Sequence, residues 1–196
     1  HLTVFDGVLY FEANDGTNGS ELWEYDGVTP PSMVADAMPG GGSSWPGKLT
    51  AWQDKLWMEL DTPSYDEALY TLDGDGLSLF KSFTDIQTDS ASVRSLVAYD
   101  GAVYFSAKGS ELSGEELWRY DPDTDTASLA ADINEGFESG EVRYLTELGG
   151  VLYFSANDGM KGTELWKYDP TDGLGGTASL VVDIYDGSEG SNPYDL

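Results

Sequence analysis

An all-β fold of four four-stranded antiparallel blades is predicted by three features of this 196-residue chain. One phrase recurs four times at nearly constant spacing. Each copy holds four short β-type runs, and turn dipeptides rather than helical periodicity separate those runs. Four antiparallel strands in about 48 residues, repeated, is the arithmetic of a β-propeller blade.

The repeat comes first. Gly7-Val-Leu-Tyr-Phe11 returns as Asp54-Lys-Leu-Trp-Met58, Gly101-Ala-Val-Tyr-Phe105 and Gly150-Val-Leu-Tyr-Phe154, with starts 47, 47 and 49 residues apart. A second phrase follows: Glu21-Leu-Trp-Glu-Tyr-Asp26, Ala68-Leu-Tyr-Thr-Leu-Asp73, Glu116-Leu-Trp-Arg-Tyr-Asp121 and Glu164-Leu-Trp-Lys-Tyr-Asp169. A third is short and ends at Asp36, Asp85, Asp132 or Asp183. The blades are expected at approximately 1–47, 48–94, 95–143 and 144–196 of a single repeat domain. They would close into a four-bladed ring or form a segment of a longer array.

Within the first copy, Leu2–Phe5 reads as a strand that turns through Asp6-Gly7, a hairpin dipeptide, into Val8–Ala13. A glycine-rich loop at 14–19 leads to Glu21–Tyr25, and a further turn leads to Met33–Asp36. No window supports an amphipathic helix, because glycine or proline interrupts too often. Aromatic residues on both sides of the strands fit sheets packed face to face.

Composition excludes several classes of function. With 36 Asp and Glu against 9 Lys and Arg, the formal charge is −27, which repels nucleic acid and anionic membrane surfaces. No apolar run approaches the roughly 20 residues of a membrane helix, so direct membrane insertion is not expected. The absence of cysteine removes disulfides, thiolate nucleophiles and zinc–sulfur sites. His1 is the chain's histidine, so a Ser-His-Asp triad contained in these repeats is nearly excluded. At 40% hydrophobic and 13% aromatic residues, the chain is no disordered acidic tail. It opens on His1 rather than Met, which reads as a processed product or an excised segment.

The run Gly150-Val-Leu-Tyr-Phe-Ser-Ala-Asn-Asp-Gly159, with Gly162-Thr-Glu-Leu-Trp-Lys-Tyr-Asp169, resembles the bacterial repeat family written ELWxxDGTxxGT. The first and fourth copies match best. The third carries an altered loop at Lys108–Glu115, and the second departs most, with Asp61–Glu67 in place of the usual loop and Ala68-Leu-Tyr in place of Glu-Leu-Trp. Kelch-type repeats share the Trp-x-Tyr-Asp-Pro rhythm, and four-bladed hemopexin-like domains share the length. The resemblance implies propeller-like blades in a secreted or cell-surface protein. The expectation it carries is a non-enzymatic structural or adhesive module, self-associating head to tail into a fibre or array, or meeting surface glycans. A carbohydrate-binding propeller is the alternative, and a glycan-active enzyme the third reading. Such an enzyme would need an unrepeated acid pair, which Asp61–Glu67 is best placed to supply.

The repeated acids have two readings. Glu21, Glu116 and Glu164, with Asp26, Asp73, Asp121 and Asp169, recur in step with the blades and so fit a structural task, accepting hydrogen bonds from turn amides. Calcium is the metal these acids would hold, since it takes six to eight oxygen ligands. Asp121-Pro-Asp123-Thr-Asp125 opens like a calcium loop but lacks the glycine and the terminal glutamate of one; Asp73, Asp75, Asp15 and Asp158 are further donors. The opposing reading is that Asp-Gly and Asp-Pro simply make turns. Trp23, Trp118 and Trp166 sit mid-strand and read as core. Trp45, Phe137 and Tyr194 lie in the loops ahead of first strands, where they would stack on a sugar ring or cap a blade end.

Overall fold

The computed structural model describes residues 2–63, 65–80, 93–108, 114–172 and 175–196, with the side chains of residues 65–67 left aside. Its elements are strands throughout. The first sheet holds β1 (Leu2–Phe5), β2 (Val8–Asn14), β3 (Ser20–Tyr25) and β4 (Ser32–Ala35). The second holds β5 (Gly47–Trp52), β6 (Lys55–Thr62), β7 (Tyr65–Asp73) and β8 (Gly76–Leu79). The third holds β9 (Leu96–Tyr99), β10 (Ala102–Lys108), β11 (Glu115–Asp121) and β12 (Thr126–Ala131). The fourth holds β13 (Arg143–Leu148), β14 (Val151–Asn157), β15 (Thr163–Asp169) and β16 (Thr177–Val182). Each is a four-stranded antiparallel meander in chain order, so the predicted blades are present. The altered loop at Lys108–Glu115 lies largely outside the described residues, as does Asp85.

The chain forms two compact units, one carrying the first two blades (His1–Lys81) and the other carrying the last two (Ser92–Leu196). Each has its own core. In the first, Tyr10, Leu22, Leu56, Met58, Leu60 and Leu72 pack together. In the second, Tyr104, Leu117, Leu152, Phe154, Trp166 and Tyr168 lead the corresponding cluster. Trp57 is fully buried, with the Phe80 ring 4.9 Å away. Trp166 is buried as expected, but Trp23 and Trp118 are only partly so.

The hairpins obey their turn dipeptides. Phe5 pairs with Val8 across Asp6-Gly7, Tyr99 with Ala102 across Asp100-Gly101, and Leu148 with Val151 across Gly149-Gly150. Both turn residues are left-handed in all three, with φ of 47° and 78° in the first, so these are turns whose twist matches the strands. The Glu-Leu-Trp phrase has a second signature. In the first, third and fourth blades the pairing to the last strand slips between Leu and Trp, at Leu22/Trp23, Leu117/Trp118 and Leu165/Trp166. The second blade, where the phrase is Ala-Leu-Tyr, keeps its register there.

The segments that follow the first, third and fourth blades share an unusual backbone. Trp45 and Lys48 in the first unit, with Glu141 and Tyr144 in the second, are left-handed at φ between 47° and 57°. Asn192 and Asp195 take the same conformation after the fourth blade, at φ of 51° and 53°. In each case the first of the pair is exposed, and the residue after it (Pro46, Val142 or Pro193) turns inward.

Candidate functional site

The repeated glutamates are buried structural groups. Glu21, Glu116 and Glu164 have no exposed surface, although each lies in a strand whose neighbours are partly open. Their carboxylates reach back to the loop that leaves the same blade. Glu21 accepts from Ala37 N (3.1 Å), Ser44 N (3.2 Å) and Ser44 Oγ (2.6 Å). Glu164 accepts from Ile184 N, Tyr185 N, Ser191 N (2.7 Å) and Ser191 Oγ (2.5 Å). Glu116 accepts from Ile133 N (2.8 Å) and Gly140 N (2.6 Å). The clasped loop also reaches the following blade, because Asp61 N donates to Ser44 O and Asn157 N donates to Gly140 O, both at 2.8 Å. Glu21 and Glu116 therefore tie consecutive blades together, while Glu164 secures the segment that follows the fourth blade. Buried acids of this kind persist because they are hydrogen-bonded.

The candidate calcium ligands are occupied in turns. Asp15 accepts from Thr17 N and Asn18 N, each at 2.8 Å, and these amides hold its carboxyl below the usual range. Asp158 accepts from Met160 N and Lys161 N. Asp73 accepts from Asp75 N and from Lys55, whose ammonium lowers its pKa first and most. Asp121 accepts from Asp123 N and from Arg119 Nη1 (2.8 Å), and Asp125 from the Tyr120 hydroxyl. Among the described residues no three Asp, Glu or His side chains converge to hold a metal ion.

Trp45, Phe137 and Tyr194 are largely exposed, at 60%, 72% and 72%, with Trp45 in the first unit and the other two in the second. The Asp61–Glu67 segment continues β6 and β7 with a register shift, and the side chains of Asp66 and Glu67 lie outside what is described.

Two clefts among the described residues lie elsewhere, and they are repeats of one another. In the second unit a cleft of about 440 Å³ lies between the third and fourth blades, lined among others by Asp100, Tyr104, Arg119, Ser128 and Tyr168. Tyr104 and Tyr168 are buried, with rings 5.6 Å apart. Burial pushes the Tyr104 hydroxyl up to about 12, Tyr168 adds to this, and a hydrogen bond from Arg119 opposes it. Arg119 thus spends donors on Asp121 and Tyr104, and a guanidinium has five. The remainder, with the Tyr104 and Ser128 hydroxyls, make this a donor-rich wall in a chain of charge −27.

The first unit has the matching cleft, of about 590 Å³, with different chemistry. Asp6 stands where Asp100 does, Tyr10 for Tyr104, Glu24 for Arg119 and Leu72 for Tyr168. Asp54 and Asp73 add two more carboxylates. Burial raises the Tyr10 hydroxyl, the charges of Glu24 and Asp6 raise it further, and Tyr10 hydrogen-bonds Glu24. Neither cleft contains a residue singled out by sequence as a sugar platform. The signal that finds them is the variable fourth position of the E-L-W-x-Y-D phrase: Glu24, Thr71, Arg119 and Lys167.

No protein-family model and no curated protein matches the chain. Solved structures do. Puromycin hydrolase aligns over 93% of this chain and 27% of its own, at TM-score 0.58 and 15% identity. One of two prolyl endopeptidases aligns over 90% and 25%, at TM-score 0.57 and 11% identity. The glycoside hydrolase GH74 enzyme of Niastella koreensis aligns over 91% and 29%, at TM-score 0.50 and 12% identity. This chain spans about a quarter of the length of each. The fold is thereby the propeller type. The expectation of a non-enzymatic structural or adhesive protein is corrected, since these natural matches are hydrolases. A propeller is a scaffold that hosts many activities, so repetition by itself does not argue for adhesion.

Proposed function

We propose that this chain is a propeller segment of a larger hydrolase acting on peptide-type substrates, and that the cleft between its third and fourth blades meets part of the substrate. The observation that carries the reading is the donor set of that cleft. Arg119, Tyr104 and Ser128 converge on a concavity of about 440 Å³, a size that suits a small ligand or a few residues of peptide. Carbonyl oxygens along a peptide are acceptors, which is what such a wall requires. The likeness to propellers of puromycin hydrolase and prolyl endopeptidase supports the substrate class. With one histidine, His1, the repeats would leave a triad's imidazole to another part of the protein.

The test is a titration of the isotope-labelled 196-residue chain with an N-acetylated tripeptide amide, read by NMR. Expected are shifts at the Arg119 side chain and at Ser128, Leu129 and Ala130, lost in Arg119→Met, with no turnover of the peptide. Shifts that persist in the variant, no shifts at all, or hydrolysis by the chain alone would overturn the reading.

A further inference from the structure

Three clasps of the same design hold the segments that leave the first, third and fourth blades, and one of them lacks a part. The loop residue that faces the glutamate is Ser44 in the first blade and Ser191 in the fourth, each giving both an amide and a hydroxyl. In the third blade the same place holds Gly140, which gives an amide alone. Glu116 has moved into the space a side chain would fill. A Cβ added at Gly140 would lie 2.5 Å from one carboxylate oxygen of Glu116 and 2.9 Å from the other. Glu116 is nonetheless as completely buried as its two counterparts.

We propose that the third clasp is a pH-responsive latch, in which protonated Glu116 holds the 132–140 loop against β11 and ionised Glu116 releases it. An ionised carboxylate buried without its hydroxyl donor gains hydration when the loop opens. A neutral carboxyl gains much less. The surrounding charges act in the same direction. Asp132, at the start of the loop, opposes ionisation of Glu116, while Arg94 and Arg143 act on the adjacent Glu115, where Glu141 opposes them. Arg94 pairs with Glu115 at 3.0 Å and so is committed there.

The missing hydroxyl separates the acidities of the two carboxyls. Burial pushes the Glu116 carboxyl up to about 7, against hydrogen bonds from the amides of Ile133, Gly140 and Asn134. At Glu164 burial also raises the pKa, but the Ser191 hydroxyl and the amides of Ile184, Ser191 and Tyr185 outweigh it, and the carboxyl titrates below its ordinary value. The sign follows from linkage. Between an ordinary value of 4.5 and about 7 the closed state binds a proton that the open state has lost, so closure weakens as pH rises. The segment released carries Phe137, 72% exposed, so the latch would govern how firmly that ring is presented.

Amide hydrogen exchange on the full 196-residue chain tests this, with rates converted to protection factors at each pH. Protection at Ile133 and Gly140 should fall by up to tenfold per pH unit between about pH 5 and 7 and then level off. Ala37 and Ile184, in the other two clasps, should stay flat over that range. Glu116→Gln should abolish the fall, and Gly140→Ser, which restores the hydroxyl, should flatten it. If Gly140→Ser does not fold, Glu116→Gln decides alone. Flat protection at Ile133 in the wild type, an equal fall at Ala37, or a fall that survives Glu116→Gln would overturn the proposal.

Discussion

The Ser44 hydroxyl donates to the buried Glu21 carboxylate across 2.6 Å, joining two residues 23 positions apart and fixing where the first blade ends and the second begins. A hydrogen bond to a charged, buried acceptor contributes more than a neutral one, and leaving that acceptor short costs more still.

Ser44→Ala should therefore destabilise the first unit by about 1–3 kcal/mol. The measurement is a denaturant titration followed by tryptophan fluorescence. The midpoint should drop with little change in slope. A midpoint equal to wild type would mean the hydroxyl is dispensable.

Glu164 gives a prediction in pH. Its carboxyl titrates below the ordinary 4.5, so its clasp contributes stability above that value and loses it as pH falls through the lowered one. Ser191→Ala removes the largest single lowering influence. Acid unfolding of that variant, followed by circular dichroism, should begin at higher pH than in wild type. An unchanged acid midpoint would contradict the assignment.

Gly7 and Gly19 form a matched pair, both at φ of +78°. A Cβ at Gly7 meets nothing within 4 Å, whereas one at Gly19 would fall 1.7 Å from the carbonyl oxygen of Gly42. Gly7→Ala should cost only the strain of a left-handed alanine, about 1 kcal/mol. Gly19→Ala should cost clearly more, because backbone must move. Equal losses in thermal melts would show that the loop around Gly42 yields freely.

Calcium can be tested without a mutation. The turn carboxylates already accept amide hydrogens, and among the described residues no three acids converge. Millimolar calcium is expected to raise the melting temperature no further than sodium at matched ionic strength. A rise of several degrees beyond sodium would reveal a site formed by other oxygens.

The blade architecture was legible because period and turn chemistry are local signals. Asp6-Gly7 and Gly149-Gly150 announce their hairpins, and β3 runs within one residue of the stretch the phrase marks. The structural role of Glu21, Glu116 and Glu164 was legible as well, since a group present in most copies serves the blade. The clefts were hidden for the same reason. Tyr104 and Asp100 recur, so they pass for scaffold, and what distinguishes one cleft from the other is Arg119 against Glu24, Tyr168 against Leu72, and the added carboxylates of Asp54 and Asp73. Nor does sequence disclose the exposure of Trp45, which depends on a left-handed bend that a tryptophan would not choose by itself.

That bend has a consequence for how such blades diversify. Trp45, Glu141 and Asn192 are an indole, an acid and an amide at one repeat position, all held at the same φ and all facing solvent. Local preference did not select the conformation, since only asparagine tolerates it readily; the surrounding frame imposes it, at about 1 kcal/mol per residue. A position whose shape is dictated from outside can change its side chain while the backbone stays put. The positions of Trp45, Glu141 and Asn192 are thus sockets for variation, where a new contact chemistry can be installed in one copy and leave the other copies undisturbed.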